Sequence, residues 1–217
     1  MYSPIPTKRS SKFGNNYWEA YSPKVKRNVR LFSDLEYDFW VLIETNPKIS
    51  TFCERPLEIE QFYNGKLVKV MVDMWIEWEN GDEQFFEIKY SNQSRNSDRA
   101  TRKTLVQQQW CTKHEINFVI KTEKDIRGNN ILLSNMKAIL PYICNRRHPV
   151  ETDLHKVKRQ LSKIKRCSIA ELDRQLDVDP IRIRESIYWL LYHGQLQANT
   201  DTKLIGPNLE VWLNDEK

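Results

Sequence analysis

Two apolar-alternating runs, 67–79 and 84–90, separated by Asn80-Gly81-Asp82, constrain the fold more than any other feature of the chain. Side chains alternate between the two faces of a strand, so a period of two marks a strand and Asn-Gly marks a hairpin turn. In the first run Val70, Val72, Met74, Ile76 and Trp78 share one face, and Asp73, Trp75 and Glu77 share the other. The second run sets Phe86, Ile88 and Tyr90 against Phe85, Glu87 and Lys89. A slip of one residue would throw every apolar side chain to the wrong face. A three-residue loop at Asn80-Gly81-Asp82 avoids this, pairing Met74 with Ile88, Ile76 with Phe86, Trp75 with Glu87 and Asp73 with Lys89. A two-residue Asn-Gly loop mixes the faces and is rejected. The register therefore gathers Asp73, Glu87 and Lys89 on one surface.

The flanking sequence supplies helices and further strands. Ser33-Asp34-Leu35-Glu36 reads as a capping box, and Leu35, Phe39, Leu42 and Ile43 follow at helical spacing until Asn46-Pro47 stops the helix. Residues 49–54 read as a short strand closed by Pro56, 91–97 as a polar loop, 98–114 as a helix and 116–121 as a buried strand. Gly128-Asn129-Asn130 breaks the chain before another helix ending near Asn145, and Arg146-Arg147-His148-Pro149 reads as a linker. Three short helices then follow, over 153–166, 168–176 and 179–192. Ser168 and Glu171 form a second capping box, Asp179 with Pro180 opens the third helix, and Gly194 ends it. Two strands within 195–212 complete the order of a winged helix.

Charge is unevenly spread. Of 34 Lys and Arg, seven (Lys8, Arg9, Lys12, Lys24, Lys26, Arg27 and Arg30) lie in residues 1–30 against one acidic residue, Glu19. Such an arm suits phosphate contacts, whose strength comes from counterion release; a solvated tail is the plainer reading. Residues 151–217 carry eleven basic and eleven acidic side chains, so the C-terminal module is neutral. No apolar run reaches the ~20 residues of a membrane span, and no secretory leader is visible, so a cytoplasmic location is expected. Cys53, Cys111, Cys144 and Cys167 are scattered, as are the four histidines, which argues against a zinc site or a disulfide framework.

Two carboxylates on one rigid face form a hard-oxygen site for Mg²⁺ or Mn²⁺. Such a metal stabilises charge developing on phosphorus oxygens and acidifies a bound water. A neighbouring lysine can stabilise the oxyanion. Asp73 followed one hairpin later by Glu87-x-Lys89 is the minimal signature of the PD-(D/E)xK nucleases. Glu36 stands one helix earlier, as a third carboxylate or simply as the capping glutamate. On the 98–114 helix, Arg99, Arg102 and Lys103 cluster near an N-terminus that disfavours cations, consistent with phosphate binding or with a solvated face; Gln107 or Gln108 could support the site.

The run Phe32-Ser33-Asp34-Leu35-Glu36, the strand ending in Glu54-Arg55-Pro56, Val72-Asp73, Phe86-Glu87-Ile88-Lys89, Trp110 and the strand at 116–121 together resemble the TnsA endonucleases of heteromeric DNA transposases. The resemblance covers most of residues 15–145, and the tail is similar to a small TnsA C-terminal domain. It implies an α/β, restriction-endonuclease-like core with a mixed sheet flanked by helices, over 31–147, then a winged helix over 151–217, behind a basic arm at 1–30. It implies catalysis by Glu36, Asp73, Glu87 and Lys89, with Mg²⁺ or Mn²⁺ on the three carboxylates. It further implies 5′-strand cleavage at transposon ends in double-stranded DNA, beside a TnsB-like DDE recombinase and a TnsC-like AAA+ regulator. Lys24, Lys26, Arg27, Arg30, Arg99, Arg102 and Lys103 are the candidate DNA contacts. A stand-alone restriction or repair nuclease and a non-catalytic DNA-binding adaptor are the alternatives.

In the module, Ile183, Ile187, Leu190 and Leu191 form the expected buried stripe of the third helix, leaving Arg182, Arg184 and Ser186 outward. The neutral charge favours a protein partner over DNA, with Lys156, Lys158, Arg159, Lys163, Lys165 and Arg166 as the other open possibility.

Overall fold

A computed structural model describes residues 2–6, 16–92, 98–144 and 148–214, the side chains of residues 98–100 excepted. Two compact units divide the chain. The first runs through Ile43 and resumes over Lys48–Gly128; the second takes Glu44–Pro47 and everything from Asn129 onward.

In the first unit, β1 (Trp18–Ser22) and β2 (Arg27–Leu31) form an antiparallel hairpin. The second half of the expected arm is thus structured, because Val29 and Leu31 are apolar and become fully buried. Lys8, Arg9 and Lys12 lie outside the described residues. Next comes α1 (Asp34–Glu44), whose Glu36 N–H is capped by Ser33 Oγ at 3.1 Å. A four-stranded mixed sheet follows, built from β3 (Ile49–Glu54), β6 (Met74–Trp78), β7 (Glu83–Ile88) and β8 (Asn117–Lys121) in the order β3-β6-β7-β8. Only the β7–β8 pair is parallel, since helix α2 (Asp98–Lys113) carries the chain across between them. The ribbon β4 (Glu58–Tyr63) and β5 (Lys66–Met71) lies along α2, where Gln61 Nε2 donates to Gln109 Oε1 at 3.2 Å. A short helix, α3 (Glu123–Arg127), closes the unit.

Both faces of the sheet are covered. Phe86 meets Phe39 of α1, ring centroids 5.2 Å apart, while Trp75 and Phe85 pack with Cys53, Val106 and Cys111 on the opposite side. The face expected to be polar is therefore buried around Trp75, with Asp73 and Glu77 on either side of it half-buried. This is the mixed α/β sheet expected from the sequence.

Two details of the hairpin differ from expectation. The first strand is not continuous: Val72 N–H still bonds to Leu57 O (3.1 Å), but Asp73 O accepts from Arg55 N–H (2.9 Å), and the chain enters the main sheet at Met74. The strand changes partner there, from β4 to β3. The register is also shifted by two: Met74 pairs with Phe86, Trp75 with Phe85 and Ile76 with Gln84. Trp78 N–H donates to Asp82 O at 2.9 Å, so the three loop residues are Glu79-Asn80-Gly81. The third residue of such a loop adopts positive φ, which Gly81 (φ 85°) does without the strain a side chain would bring. A shift of two preserves parity, so the faces stay as read.

The second unit holds α4 (Asn130–Cys144), α5 (Glu151–Ile164), β9 (Arg166–Ser168), α6 (Ile169–Gln175), α7 (Pro180–Tyr192), β10 (Leu196–Ala198) and β11 (Glu210–Leu213). The strands form one sheet in the order β10-β11-β9. Ile139 and Ile143 of α4 pack in one cluster with Leu154, Val157, Leu161, Ile183 and Ile187. Helix α4 therefore falls with the C-terminal unit, which moves the division from the 146–149 region to Gly128–Asn129. Both capping features are present: Ser168 Oγ accepts from Glu171 N–H, and Asp179 Oδ1 from Ile181 N–H.

On α7, Ile183, Ile187 and Leu190 are buried as read, but so are Ser186 and Tyr188, while Leu191 is only partly buried. Arg182 pairs with the buried Asp153 at 2.6 Å, and Arg184 with Asp173 at 3.0 Å. Ser186 is not outward; it donates to Arg182 O at 2.9 Å inside the helix. No helix among the described residues is long and apolar enough to cross a membrane.

Candidate active site

Asp73 stands one residue beyond the last regular pair of the hairpin, opposite Glu87, where the sheet meets the ribbon. Its Oδ2 accepts the Ile88 N–H at 2.7 Å. Glu87, in β7, has Oε2 held by Gln107 Nε2 at 2.7 Å, and the same amide donates to Met71 O at 3.2 Å. Gln107 is fully buried, and its Oε1 has no hydrogen-bond partner among the described residues. Lys89, two residues along the same strand face, donates from Nζ to Thr104 Oγ1 at 2.9 Å. Thr104 and Gln107 lie three apart on α2, hence on one side of it. Glu36 Oε2 accepts the Phe32 N–H at 2.9 Å and faces Arg55 Nη2 at 3.3 Å.

The electrostatics follow from crowding. Burial pushes the Asp73 carboxyl well above the usual carboxylate range, and the neighbouring charges of Glu87 and Glu36 push it further, against the Ile88 N–H and Arg55. Glu87 is also raised, by burial above all, although Gln107, Lys89 and Lys103 favour its charged form. Two carboxyls that resist simultaneous ionisation suit a divalent cation, which would remove the conflict. Among the described residues, however, no three His, Cys, Asp or Glu side chains are placed together to hold a metal. Asp73 and Glu87 form a pair, and Glu36, expected as the third ligand, is occupied by Arg55.

The remaining expected contacts are distributed unevenly. Gln107 supports the site, whereas Gln108 is exposed away from it. Lys103 is half-buried and near Glu87; Arg102 lines a surface depression with Tyr63, Asn64, Lys66, Thr101 and Leu105. The side chain of Arg99 lies outside the described residues. In the N-terminal hairpin, Lys24 donates to Ile49 O at 2.7 Å, and Arg27 clamps the buried Glu54 through two 2.6 Å bonds. Lys26 and Arg30 are exposed, Arg30 lying 3.6 Å from Glu19.

Residues 46–123 match the family model of the TnsA-like endonuclease N-terminal domain. Over that stretch the chain is similar to the TnsA-like endonucleases. The matched stretch runs from just before β3 to the start of α3, and it contains Arg55, Asp73, Glu87, Lys89, Thr104 and Gln107, while Glu36 precedes it. The mixed sheet is accordingly a restriction-endonuclease-like core, and the domain supports a transposase-endonuclease type of role, with DNA as substrate and transposase proteins as associates. No curated protein sequence matches the chain.

Two residues beside the carboxylates escaped the sequence reading. Thr104 could have been found from its helical spacing to Gln107. Arg55 entered only within the Glu54-Arg55-Pro56 resemblance and without a role, because nothing local relates the end of β3 to Glu36 or Asp73.

Proposed function

We propose that the chain is the DNA-cleaving subunit of a heteromeric transposase, hydrolysing phosphodiester bonds of the non-transferred 5′ strands at transposon ends with Mg²⁺ or Mn²⁺. The observation that carries this is the Asp73–Glu87 pair, two half-buried carboxyls of raised proton affinity with Lys89 on the same strand face. A hard divalent cation held by Asp73 and Glu87, with Glu36 as the further carboxylate, would supply charge neutralisation and an acidified water. The protein's part is positional. Gln107 fixes the Glu87 oxygen and the Ile88 N–H fixes that of Asp73, so neither has to reorganise when substrate arrives. Lys89, steadied by Thr104, offers its ammonium to the oxyanion that forms at phosphorus.

After α4, the second unit fits a winged helix by its order of helix, strand, two helices and two strands. With Arg182 and Arg184 engaged in ion pairs and Ser186 buried, α7 has few free donors for reading bases, which favours docking to a protein such as a TnsC-like AAA+ regulator. A TnsB-like DDE recombinase would cut and join the opposite strands. Exposed Lys26 and Arg30 are the hairpin cations best disposed toward DNA phosphates.

Asp73→Ala is expected to lower strand cleavage at least about a hundredfold in a reconstituted transposition reaction, with DNA binding and complex assembly retained in gel-shift and co-purification assays. Undiminished cleavage would remove Asp73 from the active site.

A further inference from the structure

Arg55 occupies an unusual position for an arginine. Its φ is 47°, in the left-handed region that non-glycine residues seldom enter. Such conformations persist where surrounding contacts hold them, and they concentrate at functional sites. Here the contacts are explicit. The Arg55 N–H donates to Asp73 O at 2.9 Å, and its carbonyl accepts from Ile5 N–H at 3.0 Å. The guanidinium lies 3.6 Å over the Phe32 ring, donates to Arg30 O at 3.4 Å, and faces Glu36 Oε2 at 3.3 Å. Only 12% of the side chain is exposed. One residue thus grips Asp73 by its backbone and Glu36 by its side chain.

We propose that Arg55 is a positioning residue that serves as the resident counter-cation beside the carboxylates, holding Glu36 Oε2 until a divalent cation displaces it. The inference rests on the metal-dependent reading of the site given above. A buried guanidinium needs a partner charge, and Glu36 provides it. A metal bound through Glu36 Oε2 must therefore compete with Arg55 for that oxygen. The bound geometry is ordered in advance, at the cost of weaker metal affinity.

The test is direct titration of Mn²⁺ into the full chain without DNA, by calorimetry, for wild type, R55G, R55M and D73A. Glycine takes a φ near +47° without strain, and methionine keeps an apolar stem for Phe32, so both remove the charge while leaving the local fold a route to form. Both are expected to bind Mn²⁺ about fivefold more tightly than wild type, from the loss of one nearby unit charge, and D73A is expected to lose binding. R55K, which retains the charge, should stay close to wild type, whereas a purely structural role would make all three Arg55 variants weaker. Unchanged or weaker binding by R55G and R55M, with D73A still abolishing it, would overturn the Arg55 assignment alone. Binding that survives in D73A would instead overturn the metal reading, and this inference with it.

Discussion

Asp73 is held where its own charge is unwelcome, and that has a consequence for stability. Its folded-state pKa lies above the ordinary value of 3.8, through burial first and then through Glu87 and Glu36. The folded protein therefore binds this proton more tightly than the unfolded chain does. The associated stabilisation is fully present below the unfolded pKa and is lost as pH rises through the raised folded value. Glu87 works in the same direction from its ordinary 4.5. Metal-free wild type should accordingly lose stability as pH rises above the ordinary carboxylate range, and Asp73→Asn, which can keep an oxygen for the Ile88 N–H, should be the more stable protein at pH 8. The expected gain is read as a higher melting temperature of Asp73→Asn in EDTA at pH 8. Equal melting of the two proteins at pH 8 would show that the carboxylate is not under electrostatic strain. The sequence placed Asp73, Glu87 and Lys89 on one face correctly, because parity survives a two-residue shift; it could not show that Trp75 on that face would be buried.

At the scale of elements, the β6–β7 hairpin is what brings Asp73 and Glu87 opposite each other. Its geometry turns on Gly81, which sits at φ 85° with nothing within 4 Å of a would-be Cβ. Gly81→Ala should therefore cost only the conformational penalty of a positive φ, about 1 kcal/mol, measurable by urea denaturation with an unchanged m-value. A much larger loss would mean that the loop makes contacts beyond its backbone. Helix α2 is the second positioning element: one side of it delivers Thr104 to Lys89 and Gln107 to Glu87, while Gln108 faces out. Caps were the most legible element boundaries, since Ser168, Glu171 and Asp179 act on N–H groups two or three residues away. The ribbon β4–β5 was not recognised as a separate element, because its second strand runs without a break signal into β6.

For the whole molecule, the division at Gly128–Asn129 changes where the chain can be cut. Ending the protein at residue 150 would leave α4 without the cluster that buries Ile139 and Ile143 in its own unit. Both side chains are buried, and exposing each costs about 2 kcal/mol. A 1–150 truncation should bind a hydrophobic dye and aggregate more readily than a 1–128 truncation, as followed by dye fluorescence and size-exclusion chromatography. If the two behave alike, α4 does not belong energetically to the second unit. On the docking reading, removal of residues 129–217 should also weaken association with the regulator more than it weakens hydrolysis.

Sequence alone determined what depends on short range: the strand periodicity that puts Asp73, Glu87 and Lys89 on a common face, the capping residues, and the longer helices. These follow from backbone geometry that repeats every two or 3.6 residues and from hydrogen bonds spanning a few positions. Tertiary structure decided which strands pair, that the 67–79 run divides between two sheets, that α4 joins the second unit, and that Glu36 faces Arg55 across 19 residues of chain. No local pattern encodes those choices, because each is settled by competition among distant surfaces for burial and for charge partners. Asp73 could be read as a catalytic candidate from its hairpin, but the arginine that holds its backbone appears only when β3 and β6 are side by side.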